Sequence, residues 1–327
     1  MSTNVSYKLP DLLSLCEPFE LRTNRACRPV MEASEAWLAG LPGVLTDRER
    51  SELRRMKIGL LAALCFPTCD QPQLRFVTDF WTLLIIGNRR ARPGQSPSAD
   101  VLFTHLGDRS KWLEAAAPAG FSSRFKPHTS EHRAAELQAI KGEAPVGDLD
   151  AYMSFARRFA GLRMVFDLIA AVEALELPQE GEERALMDTL TMHAADLISW
   201  SWDIVAYNVD QSADRKYNVV QVIIDARRLT IQGAVTAAFA HAQQAQRAFL
   251  SCEQAIRERL EPPQRRDALR YVQGLRDCVA GMLHWAYETE MFFGRKQGVK
   301  SYIRTFGWVF LLDKGAEDEV EGPGDLV

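Results

Sequence analysis

Three arginines within four positions follow an apolar run in the first third of the chain. The run VTDFWTLLII continues as GNRRARPGQ, residues 87–95, so Arg89, Arg90 and Arg92 stand at the end of a predicted core helix. Guanidinium groups bind phosphate or carboxylate oxygens in a bidentate manner without a metal ion. Basic side chains also suit the negative end of a helix dipole, so a solvated helix terminus is the alternative interpretation. The spacing alone leaves both interpretations open.

The cysteines and histidines show no spacing that is typical of a metal site. Cys65 and Cys69 are four positions apart in CFPTC, and none of the six cysteines forms a C-x-x-C pair. His128 and His132 are also four apart, but they fall in a predicted loop. We therefore expect free thiols rather than a redox pair, and we predict no zinc site.

The composition is that of an ordinary globular protein, with 47% hydrophobic and 25% charged residues. A net charge of −4 and the absence of a basic stripe argue against a general nucleic-acid-binding protein. The first residues show no basic region followed by an apolar core, so we predict no signal peptide. The longest apolar runs, IGLLAALCF and WTLLIIG, are too short to span a bilayer. A reducing, cytoplasmic location is the expectation.

Helical periodicity dominates the elements that must position these residues. Between residues 150 and 175, apolar side chains recur three and four positions apart, which is the spacing of one helix face. Residues 46–66 begin with Thr46 and Glu49 in a capping-box pattern. Further helical patterns cover residues 182–211, 217–260 and 262–294. The β-branched run YNVVQVII is ambiguous, but it lies in a helical context.

The sequence therefore predicts an all-α fold, a single-domain bundle of roughly ten helices. We assign residues 1–312 to this domain and predict that the acidic segment 313–327 is a disordered tail. Loops are predicted near residues 93–100, 118–131 and 140–147. Several helices are apolar over most of their circumference, which predicts a central apolar pocket.

The segment 200–220, WSWDIVAYNVDQSADRKYNVV, resembles the second metal motif of class I terpene synthases, especially the fungal sesquiterpene synthases. Their pattern is N-D-x-x-S-x-x-x-E, commonly followed by Gln and, after a gap, by N-V-V. Asp203, Gln211 and the stretch 218–220 fit this pattern. Other segments are similar to further parts of the family in the same order, so the resemblance spans residues 5–310. These segments are 18–38, 73–80, 157–163 and 284–294.

The resemblance implies a single helical bundle around an apolar pocket, in which magnesium ions ionise a prenyl diphosphate and a carbocation then cyclises. Two acidic motifs at the pocket mouth would hold the metals. Arginines and an R-Y pair would hold the diphosphate. Segment 157–163 resembles the part that carries a diphosphate-sensing arginine, which makes Arg157 and Arg158 candidates for that role. Homodimers are common in such families, so a homodimer is also expected.

The chain departs from the family pattern at each metal position. The first motif falls on Asn88-Arg89-Arg90-Ala91-Arg92, which contains no acid. The three ligand positions of the second motif become Trp202, Ala206 and Asp210, which share one helix face because they are four positions apart. Magnesium requires oxygen ligands in a near-octahedral array, and an indole or a methyl group supplies none. The R-Y pair is replaced by Met291-Phe292. We therefore predict no magnesium and no other cofactor.

The first hypothesis is a terpene cyclase or isomerase that acts on an isoprenoid of sesquiterpenoid size by acid–base chemistry in an aromatic pocket. A carboxylic acid buried among aromatic rings has a raised pKa and could protonate an alkene, an epoxide or a carbonyl group. The candidate catalytic acids near the former metal site are Asp203, Asp210 and Glu288. The candidate substrate-binding residues are Phe80, Trp81, Asn88, Phe159, Trp202 and Phe292. Core packing is the alternative role for the aromatic residues, and helix capping or ion pairing for Asp203.

Two further hypotheses stay open. The second is an atypical sesquiterpene synthase that binds a prenyl diphosphate through basic side chains alone. Its candidate anion-binding residues are Arg89, Arg157, Arg158, Arg215 and Lys216. The third is a non-catalytic terpenoid-binding protein. A closed aromatic pocket with an unpaired acid would favour the first hypothesis, converging arginines the second, and a pocket filled by side chains the third.

Overall fold

The computed structural model describes residues 5–106, 121–261 and 264–316, and within them the regular secondary structure is almost entirely helical. The prediction of an all-α fold is confirmed. The helices are α1 Cys27–Gly40, α2 Asp47–Met56, α3 Ile58–Cys65, α4 Gln71–Arg90, α5 Ala99–Thr104, α6 Phe121–Ile140, α7 Leu149–Phe159, α8 Leu162–Val172, α9 Gly181–Ser212, α10 Val219–Arg227, α11 Ile231–Arg259, α12 Gln264–Glu288 and α13 Gln297–Phe306.

Local capping explains where the helices around the central pocket begin. Thr46 and Glu49 form the predicted capping box at the start of α2, with each side chain bonded to the other's backbone N–H. Asp70 and Gln73 form a second capping box at the start of α4. In both cases two backbone donors that lack a helical partner are satisfied by side chains. The β-branched run 217–224 enters α10, so the choice of helix there is confirmed.

The long helix α9 packs most extensively against α11 and also contacts α12. Close approaches between helices depend on small side chains. A Cβ atom at Gly274 of α12 would lie 2.3 Å from Cγ2 of Ile169 in α8, so only glycine permits this separation. Trp285 is fully buried, and its indole N–H donates to the backbone carbonyl groups of Met56 and Lys57. These contacts tie α12 to the junction between α2 and α3.

The predicted loop at 118–131 is wrong from residue 121 onward, because α6 occupies residues 121–140. The helix is mostly polar on the outside and contains Pro127, so its sequence lacks a clear apolar periodicity. His128 and His132 therefore lie one turn apart on a helix. His132 is buried, and Nδ1 of His128 lies 2.6 Å from Oδ2 of Asp167.

The two ends of the described chain form a small antiparallel sheet that the sequence did not indicate. Strand β1, Ser6–Lys8, pairs with strand β2, Trp308–Phe310. Beyond β2, the carbonyl oxygen of Asp313 accepts a hydrogen bond from Ser212, and the N–H groups of Gly315 and Ala316 return to the same serine. The first four residues of the predicted tail are thus held against the end of α9. Residues 317–327 lie outside the described part of the chain.

None of the helices in the described ranges is long and apolar enough to cross a membrane.

Candidate functional site

A cavity of about 510 Å³ opens at the ends of α4 and α9, which is within the roughly 300–1,000 Å³ range of small-molecule sites. Its walls come from α2, α4, α7, α9, the segment after α9 and the segment after α12. Ten of the residues proposed from the sequence line it: Trp81, Asn88, Arg89, Phe159, Trp202, Asp203, Asp210, Arg215, Lys216 and Phe292. The predicted central pocket is therefore present, and side chains do not fill it.

The face of α9 that the spacing predicts is turned to this cavity. Trp202, Ala206 and Asp210 all line it, as does Asp203 beside Trp202. Position 206 contributes only a methyl group. The α9 wall therefore carries carboxyl groups at Asp203 and Asp210, with no oxygen ligand at position 202 or 206.

Aromatic rings fix the apolar part of the wall. Trp202 stacks on Trp285 with ring centroids 5.5 Å apart, and it meets the edge of Phe292 at 5.3 Å. On the opposite side, Phe155 and Phe159 of α7 stack at 5.2 Å. Faces of such rings carry partial negative charge and attract a cation that lies over them. The cavity could therefore hold an apolar ligand and stabilise positive charge on it.

Asp203 is the acid with the most strongly altered environment in the cavity. Its Oδ2 atom accepts a hydrogen bond from the Tyr152 hydroxyl at 2.9 Å and another from the backbone N–H of Val219 at 2.8 Å. Burial raises the pKa of the Asp203 carboxyl to about 7, and the charge of nearby Asp210 contributes to the rise. The two hydrogen bonds oppose it. Asp203 is therefore divided between its neutral and charged forms near pH 7.

The two oxygens of Asp203 have different surroundings. Both donors meet Oδ2, and among the residues that the structure describes no donor meets Oδ1. Burial and the charge of Asp203 keep the pKa of Tyr152 well above its ordinary value, so the phenol stays protonated and donates. The proton of the neutral carboxylic acid is consequently held on Oδ1. This is the arrangement that a general acid requires.

Asp210 differs from Asp203 because its charge is compensated. Its Oδ1 accepts from the Arg215 guanidinium at 3.1 Å, and its Oδ2 accepts from the Asn218 amide at 2.9 Å. Burial raises the pKa of the Asp210 carboxyl, while Arg215 and Asn218 lower it. Both oxygens of Asp210 are engaged, which makes it a poorer proton donor than Asp203.

The three arginines at the end of α4 separate into different roles. Arg89 lines the cavity and pairs with the buried Glu52 at 2.9 Å. Arg90 points elsewhere and pairs with Glu49 at 2.7 Å. Arg92 is exposed at the cavity mouth, where Lys216 is also exposed. Burial lowers the pKa of Arg89, and the like charge of Arg215 adds to this effect, whereas Glu52 opposes it.

The residues at the metal-motif positions do not fit a magnesium cluster. Asn88, Arg89 and Arg92 occupy the first position, and the second offers Asp210, whose oxygens are already bonded to Arg215 and Asn218. No group of three or more acids, histidines or cysteines with the geometry of a metal site occurs among the described residues. The described lining has as many basic as acidic side chains, so its charge does not favour a cluster of divalent cations.

Four of the residues proposed from the sequence do not line the cavity. Phe80 is buried in an aromatic cluster with Phe103, at a centroid separation of 5.2 Å. Arg157 forms a bidentate pair with Asp196, and the Arg158 guanidinium returns to a carbonyl group of its own helix. Glu288 lies at the end of α12, half-exposed and 3.5 Å from Arg304. Each of these residues belongs to a helix that borders the cavity, but its side chain lies on a different face of that helix.

Sequence reasoning missed the two residues that give Asp203 and Asn88 their orientation. Tyr152 belongs to the apolar pattern of α7, which hides the role of its hydroxyl group. His132 lies on α6, and its Nε2 atom is 2.9 Å from Oδ1 of Asn88. No motif marks either residue, because each contact joins helices that are distant in sequence.

Comparison of the sequence with known proteins identifies the family of this chain. Residues 68–248, more than half of the chain, match the family model described as "Terpene synthase family 2, C-terminal metal binding". The chain belongs to this family. Sesquiterpene synthase Agr1 of Cyclocybe aegerita is 30% identical to it over 309 residues, with 88% of each chain covered. Alpha-muurolene synthase of Coprinopsis cinerea is 28% identical and covers 88% of this chain, which corresponds to 74% of that protein.

Solved structures agree with the fold of this terpene synthase family member. The crystal structure of a-eudesmol synthase superimposes with a TM-score of 0.70 at 17% identity, covering 83% of this chain and 98% of that one. Hedycaryol synthase in complex with nerolidol gives a TM-score of 0.63 at 22% identity, covering 85% and 100%. The predicted family and the predicted enzyme of the terpene cyclase class are thus confirmed. The family is metal-binding by description, so this member departs from it at the motif positions.

Proposed function

We propose that this member of the terpene synthase family is a cyclase or isomerase that begins its reaction by protonation, on an isoprenoid of sesquiterpenoid size, without magnesium. The observation that carries the proposal is Asp203, whose carboxyl group lines an aromatic cavity and has a pKa of about 7. A general acid is most effective when its pKa lies near the working pH. The relatives named as sesquiterpene synthases supply the substrate size.

The proposed reaction begins when Oδ1 of Asp203 gives its proton to an alkene carbon or to the oxygen of an epoxide or carbonyl group. The new C–H or O–H bond leaves positive charge on the isoprenoid and a carboxylate on Asp203. Tyr152 and the N–H of Val219 stabilise that carboxylate through Oδ2. The aromatic faces of Trp202 and Phe159 stabilise the cation. Return of a proton from a neighbouring carbon to Asp203 forms an alkene and restores the acid.

The charged residues at the mouth also support a start by protonation rather than by ionisation. In a synthase that removes diphosphate, metal ions neutralise the leaving group, and here the positions for their ligands hold Asn88, Arg89, Trp202 and Ala206. A guanidinium ion repels a divalent cation. The substitutions therefore disfavour magnesium at both former motifs together.

The second candidate function is ionisation of a prenyl diphosphate by basic side chains. Arg89, Arg215 and Lys216 favour it, since all of them line the cavity mouth. However, Arg89 pairs with Glu52 and Arg215 pairs with Asp210, so two of the three already have a carboxylate partner. The third hypothesis, a non-catalytic terpenoid-binding protein, would be favoured by a pocket filled with side chains, and this cavity is open.

The test is turnover measured with and without EDTA. The purified protein is incubated with farnesyl diphosphate, with farnesal and with an epoxidised farnesol, and the products are identified by gas chromatography with mass spectrometry. We expect conversion of at least one uncharged substrate at the same rate in magnesium and in EDTA. Magnesium-dependent hydrocarbon products from farnesyl diphosphate would overturn the proposal, and EDTA-resistant release of diphosphate would favour the second candidate.

The same assay identifies the acid. Asp203→Asn keeps an acceptor for Tyr152 and Val219 but removes the proton, so the rate should fall by about 10²–10⁴-fold. Asp188→Asn is the matched control, because Asp188 lies on the same helix and pairs with Arg184 on the surface. An Asp203→Asn variant that retains the wild-type rate would remove this residue from the mechanism.

A further inference from the structure

Asn88, in the last turn of α4, lines the cavity and is held from behind by a histidine of α6. Nε2 of His132 lies 2.9 Å from Oδ1 of Asn88, and His132 is only 2% exposed. An amide oxygen accepts hydrogen bonds and cannot donate them. With the amide oriented as in this structure, Nε2 of His132 is the donor to Oδ1, and this bond sets the orientation of the Asn88 amide.

In this orientation the Nδ2 amino group of Asn88 is available to a ligand in the cavity. Oδ1 is occupied by His132, and among the described residues no acceptor meets Nδ2. Asn88 is half-buried, so this donor is partly withdrawn from bulk water. A bound hydrocarbon would cover the N–H group without satisfying it, and an unsatisfied buried donor reduces affinity.

We propose that Asn88 donates a hydrogen bond from Nδ2 to an acceptor oxygen of the substrate, and that His132 is the positioning residue for this contact. The substrate class is then an isoprenoid that already carries oxygen, as a carbonyl or an epoxide group. This inference rests on the proposed function, because it names the substrate of the same cavity. It also implies that the reaction which supplies the substrate is an oxidation of an isoprenoid alcohol or alkene.

The surroundings of Asn88 favour a neutral oxygen over an anionic head group. An amide is an uncharged donor, and the neighbouring guanidinium of Arg89 is engaged by Glu52. Arg215, which acts electrostatically on Arg89, is engaged by Asp210. An anion would have to compete with both carboxylates, whereas a carbonyl or epoxide oxygen needs only the free N–H bonds of Asn88.

Binding of two probes with the same carbon skeleton tests the inference, and the Asp203→Asn variant repeats the measurement with turnover suppressed. Farnesal carries a carbonyl oxygen and β-farnesene carries none. Their affinities are measured in EDTA by quenching of tryptophan fluorescence, because Trp81 and Trp202 line the cavity. We expect the wild-type protein to bind farnesal about tenfold more tightly than β-farnesene. Equal affinities would overturn the inference.

Two substitutions at position 88 separate the donor from the shape of the side chain. Asn88→Asp keeps the acceptor for His132 and nearly the same volume, but it presents a carboxylate oxygen to the cavity. Asn88→Leu keeps the branched shape and the number of heavy atoms and removes all polarity. Both variants should lose the tenfold preference for farnesal. The leucine variant should bind β-farnesene with the wild-type affinity. Retention of the preference in Asn88→Asp would contradict a donor role.

Variants at His132 test the positioning role. His132→Phe should reduce the preference for farnesal to below threefold, because the Asn88 amide can then turn. His132→Gln can still donate to Oδ1 and should recover most of the preference, which a purely structural role would not predict. His193→Phe is the control, on a half-exposed histidine of α9. The Asp203→Asn variant should keep the preference while it loses turnover, so failure of this inference and failure of the proposed function are distinguishable.

Discussion

At the scale of single residues, the chemistry of this cavity depends on how each acid is paired. Asp203 and Asp210 lie two turns apart on α9 and both line the cavity. Asp210 has a guanidinium partner, which stabilises its charge, whereas Asp203 has only the phenol of Tyr152 and one backbone N–H. A charged partner lowers a carboxyl pKa more than neutral donors do. This difference makes Asp203 the proposed proton donor and leaves Asp210 in an ion pair with Arg215.

The first prediction at this scale concerns stability against pH. The Asp203 carboxyl has a pKa of about 7 in the folded protein, and its ordinary value is 3.8. Between these values the folded state holds a proton that the unfolded state has released, so the free energy of unfolding should fall as pH rises from 4 to 7. One pKa unit corresponds to about 1.4 kcal/mol, so a rise of about three units makes the expected loss on the order of 4 kcal/mol.

The measurement compares urea unfolding of the wild-type protein and Asp203→Asn between pH 4 and pH 8. The variant cannot titrate at this position, so its stability relative to the wild type should rise with pH and level off above pH 7. Subtraction removes the contribution of Asp210 and of the other acids. A difference that is independent of pH would show that Asp203 does not have a raised pKa.

At the scale of elements, the ends of α4 and α9 bring the former metal positions to one cavity mouth. α4 begins with a capping box and both helices bury an apolar face, while the positions of the former motifs hold Asn88 and Arg89 on α4 and Trp202 and Ala206 on α9. α6 adds a contribution that the motif does not contain, since it supplies His132 behind Asn88. The scaffold and the site can therefore change separately, because packing depends on the buried faces and chemistry on the helix ends.

A second prediction concerns the junction of α7 and α8. Gly161 has φ of +70°, and a Cβ atom there would lie 2.7 Å from Cδ1 of Leu84, a residue that lines the cavity. Gly161→Ala should therefore lower the free energy of unfolding by about 1–3 kcal/mol, from the left-handed backbone and the close contact. The free energies come from urea unfolding. Gly147→Ala is the control, because a Cβ atom there has no neighbour within 4 Å, and it should change the free energy of unfolding by less than about 0.5 kcal/mol. Similar losses in both variants would contradict the prediction.

At the scale of the whole molecule, the two ends of the described chain close the bundle beside the last turns of α9. Tyr7 of β1 is 2% exposed and meets the edge of Tyr207 with ring centroids 5.8 Å apart. The Asn208 amide bonds to the backbone of Phe310 and Leu312, on the other strand and beyond it. The helix that carries the proposed acid is thus held by residues from both ends. The expected homodimer and cytoplasmic location stay predictions.

A third prediction follows from the buried hydroxyl group of Tyr7. This oxygen has no hydrogen-bond partner among the described residues, so its burial is unfavourable, while the ring packs against α9. Tyr7→Phe should leave the free energy of unfolding within about 0.5 kcal/mol of the wild type or raise it. Tyr7→Ala should lower it by about 3–5 kcal/mol. Thermal unfolding followed by circular dichroism makes the comparison, and a large loss in the phenylalanine variant would show that the hydroxyl group is bonded.

The sequence by itself determined the helical class, the family and the face of α9 that meets the cavity. These follow from short-range rules, because a helix places residues four positions apart on one side. The sequence also indicated that the positions of the family's metal ligands lack acids, because the order of the motifs along the chain is enough to locate those positions. It failed for α6, where a polar surface and an internal proline hide the helical period.

Only the tertiary structure decided which charged groups are compensated. Arg89 and Arg215 could each have faced a ligand, but Glu52 and Asp210 meet them across the bundle. Asp203 could have been an ion pair, but burial without a charged partner raises the pKa of its carboxyl to about 7, and its hydrogen-bond donors are Tyr152 and Val219. The physical reason is that a pKa depends on burial and on partners within a few ångströms, and these partners come from segments far apart in the chain.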